Sequence, residues 1–221
     1  MISEKTVELN LTTEFVNLAF HQTGIRPFIL APSQRAEATL AYDVQYGFPG
    51  FKGILIQYKR AHVKNTNEYI FNLNRTSKQD QHLRLFVLDL MGFPVYYAFP
   101  IFHLETEVIY LRRNLLLHTK FVRPSRIFPV GGLTGHHEVV YYKSTNTWKV
   151  FSEEGTPFEG VEDLNDLLER FKDIPNSLEE LMSACNFLFS NEQTVTQSGY
   201  KIESSEKDDY NLMRSQSIIG G

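Results

Sequence analysis

Hydrophobic positions recur along the chain at two different spacings, which predict alternating helices and strands. Phe15, Leu18 and Ala19 repeat at helical spacing, whereas shorter runs of Ile, Val and Tyr lie between turn residues. Gly92 provides a stop after the second helical pattern. In chain order the predicted elements are a helix over 12–22, a proline-bounded connector or short extended piece over 25–32, strands over 36–45, 54–61 and 68–74, a helix over 77–91 and a buried strand over 94–99.

The second half of the chain continues the mixture of helix and strand patterns and then becomes acidic and polar. The predicted elements are a helix over 103–114, strands over 115–123, 138–143 and 146–152, and acidic amphipathic helices over 161–172 and 177–188. The last thirty residues are rich in Ser, Gln, Glu and Asp, a composition typical of a mobile or partner-bound tail. We therefore expect an α/β (α+β) core over 1–152 with added strands, an acidic helical appendage over 153–190 and a tail over 191–221.

Composition indicates a globular protein but does not distinguish between functions. The 221 residues are 42% hydrophobic and 22% charged, which predicts a packed globular protein. No apolar run approaches the ~20 residues of a membrane span, and the first residues lack the pattern of a signal peptide. Cys185 is the single cysteine, so no intrachain disulfide can form. We expect a cytoplasmic protein with no membrane contact.

Charge is distributed unevenly along the chain. Residues 1–152 hold 17 Lys and Arg against 11 Asp and Glu, and residues 153–221 hold 5 against 15. A basic core with an acidic end is common in enzymes that act on nucleic acid, although ordinary variation explains it about as well. The candidate phosphate contacts are Arg60, Arg112, Arg113, Lys120 and Arg123, with a solvated surface as the alternative interpretation. The acidic helices are expected to contact a protein partner or the basic surface of the chain itself.

One group of residues suggests a reaction. Asp43 ends the predicted strand over 36–45, and Gln57 and Lys59 share one face of the next strand because they are two residues apart. A hairpin would bring the three side chains together. Mg²⁺ prefers oxygen ligands and needs only one or two carboxylates beside a substrate phosphate. A lysine beside it can orient the attacking water or stabilise developing charge, so the sequence predicts Mg²⁺- or Mn²⁺-assisted phosphodiester cleavage.

Residues 12–100 resemble the PD-(D/E)xK nuclease superfamily, whose core is a helix, a three-stranded antiparallel meander, a helix and a further strand. Asp43 matches its strand-end aspartate, and Gln57-Tyr58-Lys59 matches the QxK variant found in Mrr-type restriction nucleases. The resemblance implies a restriction-endonuclease-like αβββαβ core. It implies that Asp43 and Gln57 bind the metal and that Lys59 assists the water. Glu14 on the first helix or Glu37 on the strand would supply the second carboxylate, Glu37 as a metal ligand.

This resemblance implies a metal-dependent nuclease or nuclease subunit that cuts DNA or RNA. The alternative is a nuclease-like scaffold that binds nucleic acid or a protein partner without cutting, because Gln57 replaces the usual carboxylate. Gln81 and His82 begin the helix that flanks such sites, or simply form a polar helix face. Residues 80–82, 95–102 and 136–142 also resemble an uncharacterised bacterial family associated with anti-phage defence. The sequence leaves homo-oligomer formation open.

Overall fold

The longest helix, α1 (Glu4–Thr23), begins earlier than its pattern predicts. Ser3 caps it, because its hydroxyl accepts a hydrogen bond of 3.0 Å from the Thr6 backbone N–H. Val7 and Leu11 are fully buried and extend the apolar stripe by two further turns. Gly24 ends the helix in the left-handed conformation, with φ of 73°. The predicted start at residue 12 was therefore wrong by two turns.

The computed structural model describes eight stretches of the chain: 1–24, 26–32, 42–48, 53–73, 81–112, 114–131, 137–151 and 154–172. All of them belong to one unit, Met1–Asn186, and a second unit, Phe187–Gly221, lies outside the described residues. The further helices are α2 (Gln81–Leu90), α3 (Glu105–Leu111), a 3₁₀ turn (Leu116–His118), α4 (Pro124–Gly131) and α5 (Leu164–Lys172).

Two β-sheets make up the rest of this mixed α/β fold. The first sheet contains, in spatial order, β1 (Phe28–Leu30), β2 (Val44–Gly47), β3 (Gly53–Tyr58), β6 (Val95–Pro100), β7 (Thr119–Val122) and β11 (Val161–Glu162). The second contains β10 (Gly155–Pro157), β9 (Thr147–Phe151), β8 (Glu138–Tyr142), β5 (Glu68–Asn72) and β4 (His62–Asn65). In the first sheet, β1, β2 and β3 form an antiparallel meander, and β6 runs parallel to β3.

Strand β3 lies in the middle of the first sheet, and all six of its residues are buried. Ile54, Ile56 and Tyr58 belong to the same apolar core as Phe15 of α1. Since neighbouring side chains of a strand point to opposite faces, Gln57 lies on the face away from α1. The predicted alternation along this strand is confirmed, and it leaves one face of β3 for polar groups.

The second sheet packs its aromatic residues against the first. Phe99 of β6 lies 4.7 Å from Phe71 of β5 and 5.9 Å from Trp148 of β9, measured between ring centroids. Phe99 also stacks on Tyr97, at 5.7 Å. Aromatic contacts of this kind hold the second sheet close to the polar face of β3 and β6.

Several predicted elements differ from the structure. The segment predicted as a third meander strand is β5, which pairs with β4 and β8 in the second sheet. The meander takes its remaining strand from β1, in the stretch predicted as a connector or short extended piece. The segment 115–123 divides into the 3₁₀ turn and β7, and α4 was not predicted.

The acidic segment begins with strands rather than with a helix. β10 extends the second sheet beside β9, and β11 extends the first sheet beside β7. Only then does α5 begin, at Leu164. The predicted helix over 177–188 and the tail lie outside the described residues. Among the described helices, none is long and apolar enough to cross a membrane.

Candidate functional site

Asp43 and Gln57 face each other across the β2–β3 ladder. Asp43 directly precedes β2, and the pairing of Val44 with Ile56 sets it opposite Gln57. The Gln57 amide nitrogen donates to both Asp43 carboxylate oxygens, at 2.9 Å each. The Tyr58 backbone N–H donates to Asp43 Oδ2 at 2.7 Å. Two of the three predicted site residues therefore meet, although Asp43 lies just before a strand and not at the end of one.

Lys59 joins the same group through α2. Its Nζ donates to Gln81 Oε1 at 3.3 Å, and Gln81 Nε2 donates to Gln57 Oε1 at 3.0 Å. Asp43, Gln57 and Lys59 are 7%, 2% and 7% exposed. A continuous chain of hydrogen bonds, buried at Asp43, Gln57 and Lys59 and partly buried at Gln81, thus runs from the Lys59 ammonium through two amides to the Asp43 carboxylate. We call these four residues the amide relay.

The relay differs from the predicted arrangement in one important respect. Sequence reasoning places the Gln57 carbonyl oxygen beside Asp43 as a second metal ligand. In the structure the nitrogen lies there, and the oxygen accepts from Gln81. Gln81 itself was left open between a site residue and a polar helix face, and its contacts with Gln57 and Lys59 assign it to the site.

Tyr97 and His82 lie beside the relay on the same face of the sheet. Tyr97 of β6 is the neighbour of Gln57 in the parallel β3–β6 ladder. Its hydroxyl lies 2.9 Å from His82 Nδ1. Burial, with a smaller contribution from the charge of Asp43, raises the pKa of the Tyr97 phenol well above its usual value. The phenol is therefore neutral at ordinary pH.

His82 is fully buried, and this changes its chemistry. Burial, together with the nearby His137 and Lys59, lowers the pKa of the imidazole to about 4. The ring of His82 lies 6.1 Å from that of His137, centroid to centroid. Within the described part of the chain, His82 Nε2 has no hydrogen-bond partner. His82 is thus a neutral group at neutral pH, and its position beside Lys59 was not predictable from local sequence.

Glu14 does not join the relay. Its carboxylate accepts a hydrogen bond of 2.9 Å from the Leu115 backbone N–H, next to the 3₁₀ turn. Burial raises the pKa of Glu14, although hydrogen bonds from the Leu115 and Leu116 backbone oppose the shift. The side chain therefore connects α1 to the turn before β7. Glu37, the other candidate for the second carboxylate, lies outside the described residues.

The predicted phosphate contacts occupy separate local environments. Arg60 is partly buried, with Nη2 at 3.3 Å from His62 Nε2. Arg112 is exposed at the end of α3, and Lys120 is partly buried on β7. Arg113 lies outside the described residues.

Arg123 has a structural partner. Its Nε donates to Asp89 Oδ1 at 2.6 Å, and Asp89 Oδ2 accepts from the Ser125 backbone N–H at 2.8 Å. Asp89 is buried at the end of α2, and Ser125 lies in the first turn of α4. The guanidinium of Arg123 is therefore engaged in joining two helices, which does not favour its predicted role in binding phosphate.

The donor set can be compared with what a divalent cation needs. Among the described residues, no three His, Cys, Asp or Glu side chains are grouped so that they could hold a metal ion. Mg²⁺ needs fewer protein ligands than that, because water and substrate phosphate complete its shell. The Asp43 carboxylate and the Gln57 amide oxygen fit such a cation once the Gln57 amide has turned its oxygen towards Asp43.

Comparison with protein-family models, with curated proteins and with solved structures found no match to this chain.

Proposed function

We propose that this protein is a Mg²⁺- or Mn²⁺-dependent nuclease with a restriction-endonuclease-like core. The observation that carries the proposal is the convergence of Asp43, Gln57 and Lys59 on one face of two adjacent strands. The order of elements supports it: α1, the meander β1–β2–β3, the β4–β5 pair of the second sheet, α2, and then β6 parallel to β3. Apart from β4 and β5, this is the core order of the PD-(D/E)xK superfamily that the sequence resembles.

Each residue of the site has a chemical role in the proposal. Asp43 holds the cation, and Gln57 contributes its amide oxygen after turning. The bound cation would supply charge neutralisation at the phosphate and a more acidic water. Lys59 orients the attacking water or stabilises the charge that develops on the phosphate oxygens. Burial of Asp43, Gln57 and Lys59 strengthens these interactions, because the local dielectric is low.

A non-cutting nuclease-like scaffold is the second candidate, and one observation favours it. Asp43 already accepts three N–H bonds from Gln57 and Tyr58, so its charge is compensated without a cation. A scaffold of this kind would bind nucleic acid or a protein partner. The acidic segment after residue 152 is the proposed contact for a protein partner, because its charge repels phosphate.

Cation binding separates the two candidates. Isothermal titration with Mn²⁺ should show saturable binding to the wild-type chain and strongly weakened binding to Asp43→Asn. Asp166→Asn serves as the control, because it also removes an acidic side chain but lies exposed on α5. Equal Mn²⁺ affinities for the wild type and Asp43→Asn would contradict the proposed site.

The proposal includes a cytoplasmic location and a role in anti-phage defence. Cytoplasmic location agrees with a nucleic-acid substrate and with a chain that has a single cysteine. A role in anti-phage defence extends the resemblance to defence-associated bacterial proteins. Cleavage of labelled DNA and RNA, each single- and double-stranded, would identify the substrate class.

A further inference from the structure

The direction of the amide relay is set by its two ends. Lys59 ends the relay with an ammonium, which has donors and no acceptor, and Asp43 ends it with a carboxylate, which only accepts. Gln81 must therefore turn its oxygen to Lys59 and its nitrogen to Gln57. Gln57 must in turn present its oxygen to Gln81 and its nitrogen to Asp43. The four observed hydrogen bonds follow this order.

A cation bound at Asp43 would require the Gln57 oxygen, instead of its nitrogen, to face Asp43. The Gln57 nitrogen carries partial positive charge and is repelled by a cation, whereas its oxygen is a suitable ligand. When Gln57 turns its oxygen to the cation, its nitrogen faces the nitrogen of Gln81, and two donors oppose each other. Gln81 must then turn as well, and its nitrogen comes to face the Lys59 ammonium. The Gln81 nitrogen and the Lys59 ammonium are both donors and cannot hydrogen-bond to each other, so Lys59 loses its hydrogen bond to Gln81.

We infer that Gln81 couples cation binding at Asp43 to the release of Lys59. The two amides turn together, so that the lysine is held on α2 without a cation and is free to reach substrate with one. Gln81 is a positioning residue in this scheme, because it acts through Gln57 and Lys59. Burial makes the coupling strong, since little water reaches Asp43, Gln57 and Lys59 to replace a broken hydrogen bond. The inference rests on the proposed cation site.

Mn²⁺ affinity provides the first test. Gln81→Met keeps the length of the side chain and removes both its donor and its acceptor. Turning Gln57 then no longer opposes Lys59, so Mn²⁺ should bind roughly tenfold more tightly than to the wild type. Gln22→Met is the matched control, because Gln22 is exposed on α1, and its affinity should equal that of the wild type.

The reactivity of Lys59 provides the second test and separates coupling from a general change in packing. Acylation of Lys59 by an amine-directed reagent, followed by mass spectrometry, is measured with and without Mn²⁺. In the wild type Mn²⁺ should accelerate acylation several-fold. In Gln81→Met acylation should be fast both with and without Mn²⁺. In Gln81→Glu, once Gln57 has turned its oxygen to the cation, the introduced carboxylate accepts from the Gln57 nitrogen and from Lys59. Mn²⁺ should therefore leave acylation slow in this variant.

The outcomes distinguish this inference from the proposed function. If the wild type shows no saturable Mn²⁺ binding, both are overturned. If the wild type binds Mn²⁺, but Gln81→Met has the same affinity and Mn²⁺ leaves Lys59 acylation in the wild type unchanged, the coupling is overturned and the cation site stands. If Gln81→Met does not fold, the Gln81→Glu variant provides the test. The coupling is contradicted if Mn²⁺ accelerates Lys59 acylation in Gln81→Glu as much as it does in the wild type.

Discussion

The amide nitrogen of Gln57 donates hydrogen bonds of 2.9 Å to both carboxylate oxygens of Asp43. In this pair a neutral amide compensates the charge of the carboxylate. A glutamate at the same position would bring two carboxylates into contact. Gln57 therefore compensates Asp43 without placing a second negative charge beside it.

This relationship predicts the behaviour of Gln57→Glu. The introduced carboxylate would lie against Asp43, and the two like charges should lower the free energy of unfolding in metal-free buffer at pH 7.5. Mn²⁺ should remove the repulsion, so the rise in Tm on adding Mn²⁺ should be larger in Gln57→Glu than in the wild type. Thermal unfolding with and without Mn²⁺ measures both effects.

Gln22→Glu is the control for this prediction, because Gln22 is exposed on α1. Its Tm should respond to Mn²⁺ as the wild type does. A variant Gln57→Glu that is as stable as the wild type without metal, and no more stabilised by Mn²⁺, would show that Gln57 does not face a cation site.

The buried His82 predicts a particular dependence of stability on pH. Its pKa is lowered from the ordinary value of 6.5 to about 4 in the folded chain, mainly by burial and then by His137 and Lys59. Between these values the unfolded chain binds the proton more readily, so stability falls as pH is lowered through this window. The total contribution is on the order of 3 kcal/mol.

Replacement of His82 by glutamine should remove this contribution. The difference in free energy of unfolding between the wild type and His82→Gln should shift in favour of the wild type as pH rises from 4 to 6.5. Urea denaturation at a series of pH values measures it. A difference that stays constant across this range would contradict a neutral, buried His82.

The pair of Arg123 and Asp89 predicts a structural role for a residue that sequence reasoning assigned to nucleic acid. Arg123→Met would leave a buried carboxylate with the Ser125 backbone N–H and without its cation. We expect a loss of about 3 kcal/mol in the free energy of unfolding. Arg112→Met, at an exposed site, should cost less than about 0.5 kcal/mol. Urea denaturation of both variants checks this, and equal stabilities would show that the ion pair contributes little.

Local sequence pattern predicted the parts of the fold that depend on local spacing. The alternation along β3 follows from a period of two, and it correctly separated Gln57 from Ile56 and Tyr58. The sheet to which β5 belongs was predicted wrongly, because β5 pairs with β8, about seventy positions further along the chain. The local sequence of either strand does not indicate this pairing. The start of α1 was missed although Ser3 provides a cap and Val7 and Leu11 continue the stripe of Phe15 at helical spacing.

The site shows the same division between local and long-range information. Asp43, Gln57 and Lys59 could be selected from two neighbouring strands. The orientation of the Gln57 amide depends on Gln81, which lies 24 residues further along the chain. Tyr97 lies in a continuous apolar run and looks like a core residue until the β3–β6 register sets it beside Gln57.

Metal-dependent cleavage by a lysine variant tests the proposed nuclease activity and the role of Lys59 together. Lys59→Met keeps the buried stem and removes the ammonium, and Lys64→Met makes the same change at an exposed position on β4. With labelled DNA and RNA, the wild type and Lys64→Met should cleave equally in Mg²⁺ or Mn²⁺ and not in chelator. Lys59→Met should lose at least about 100-fold in rate. Absence of cleavage by the wild type with either cation, or an undiminished rate in Lys59→Met, would contradict the account.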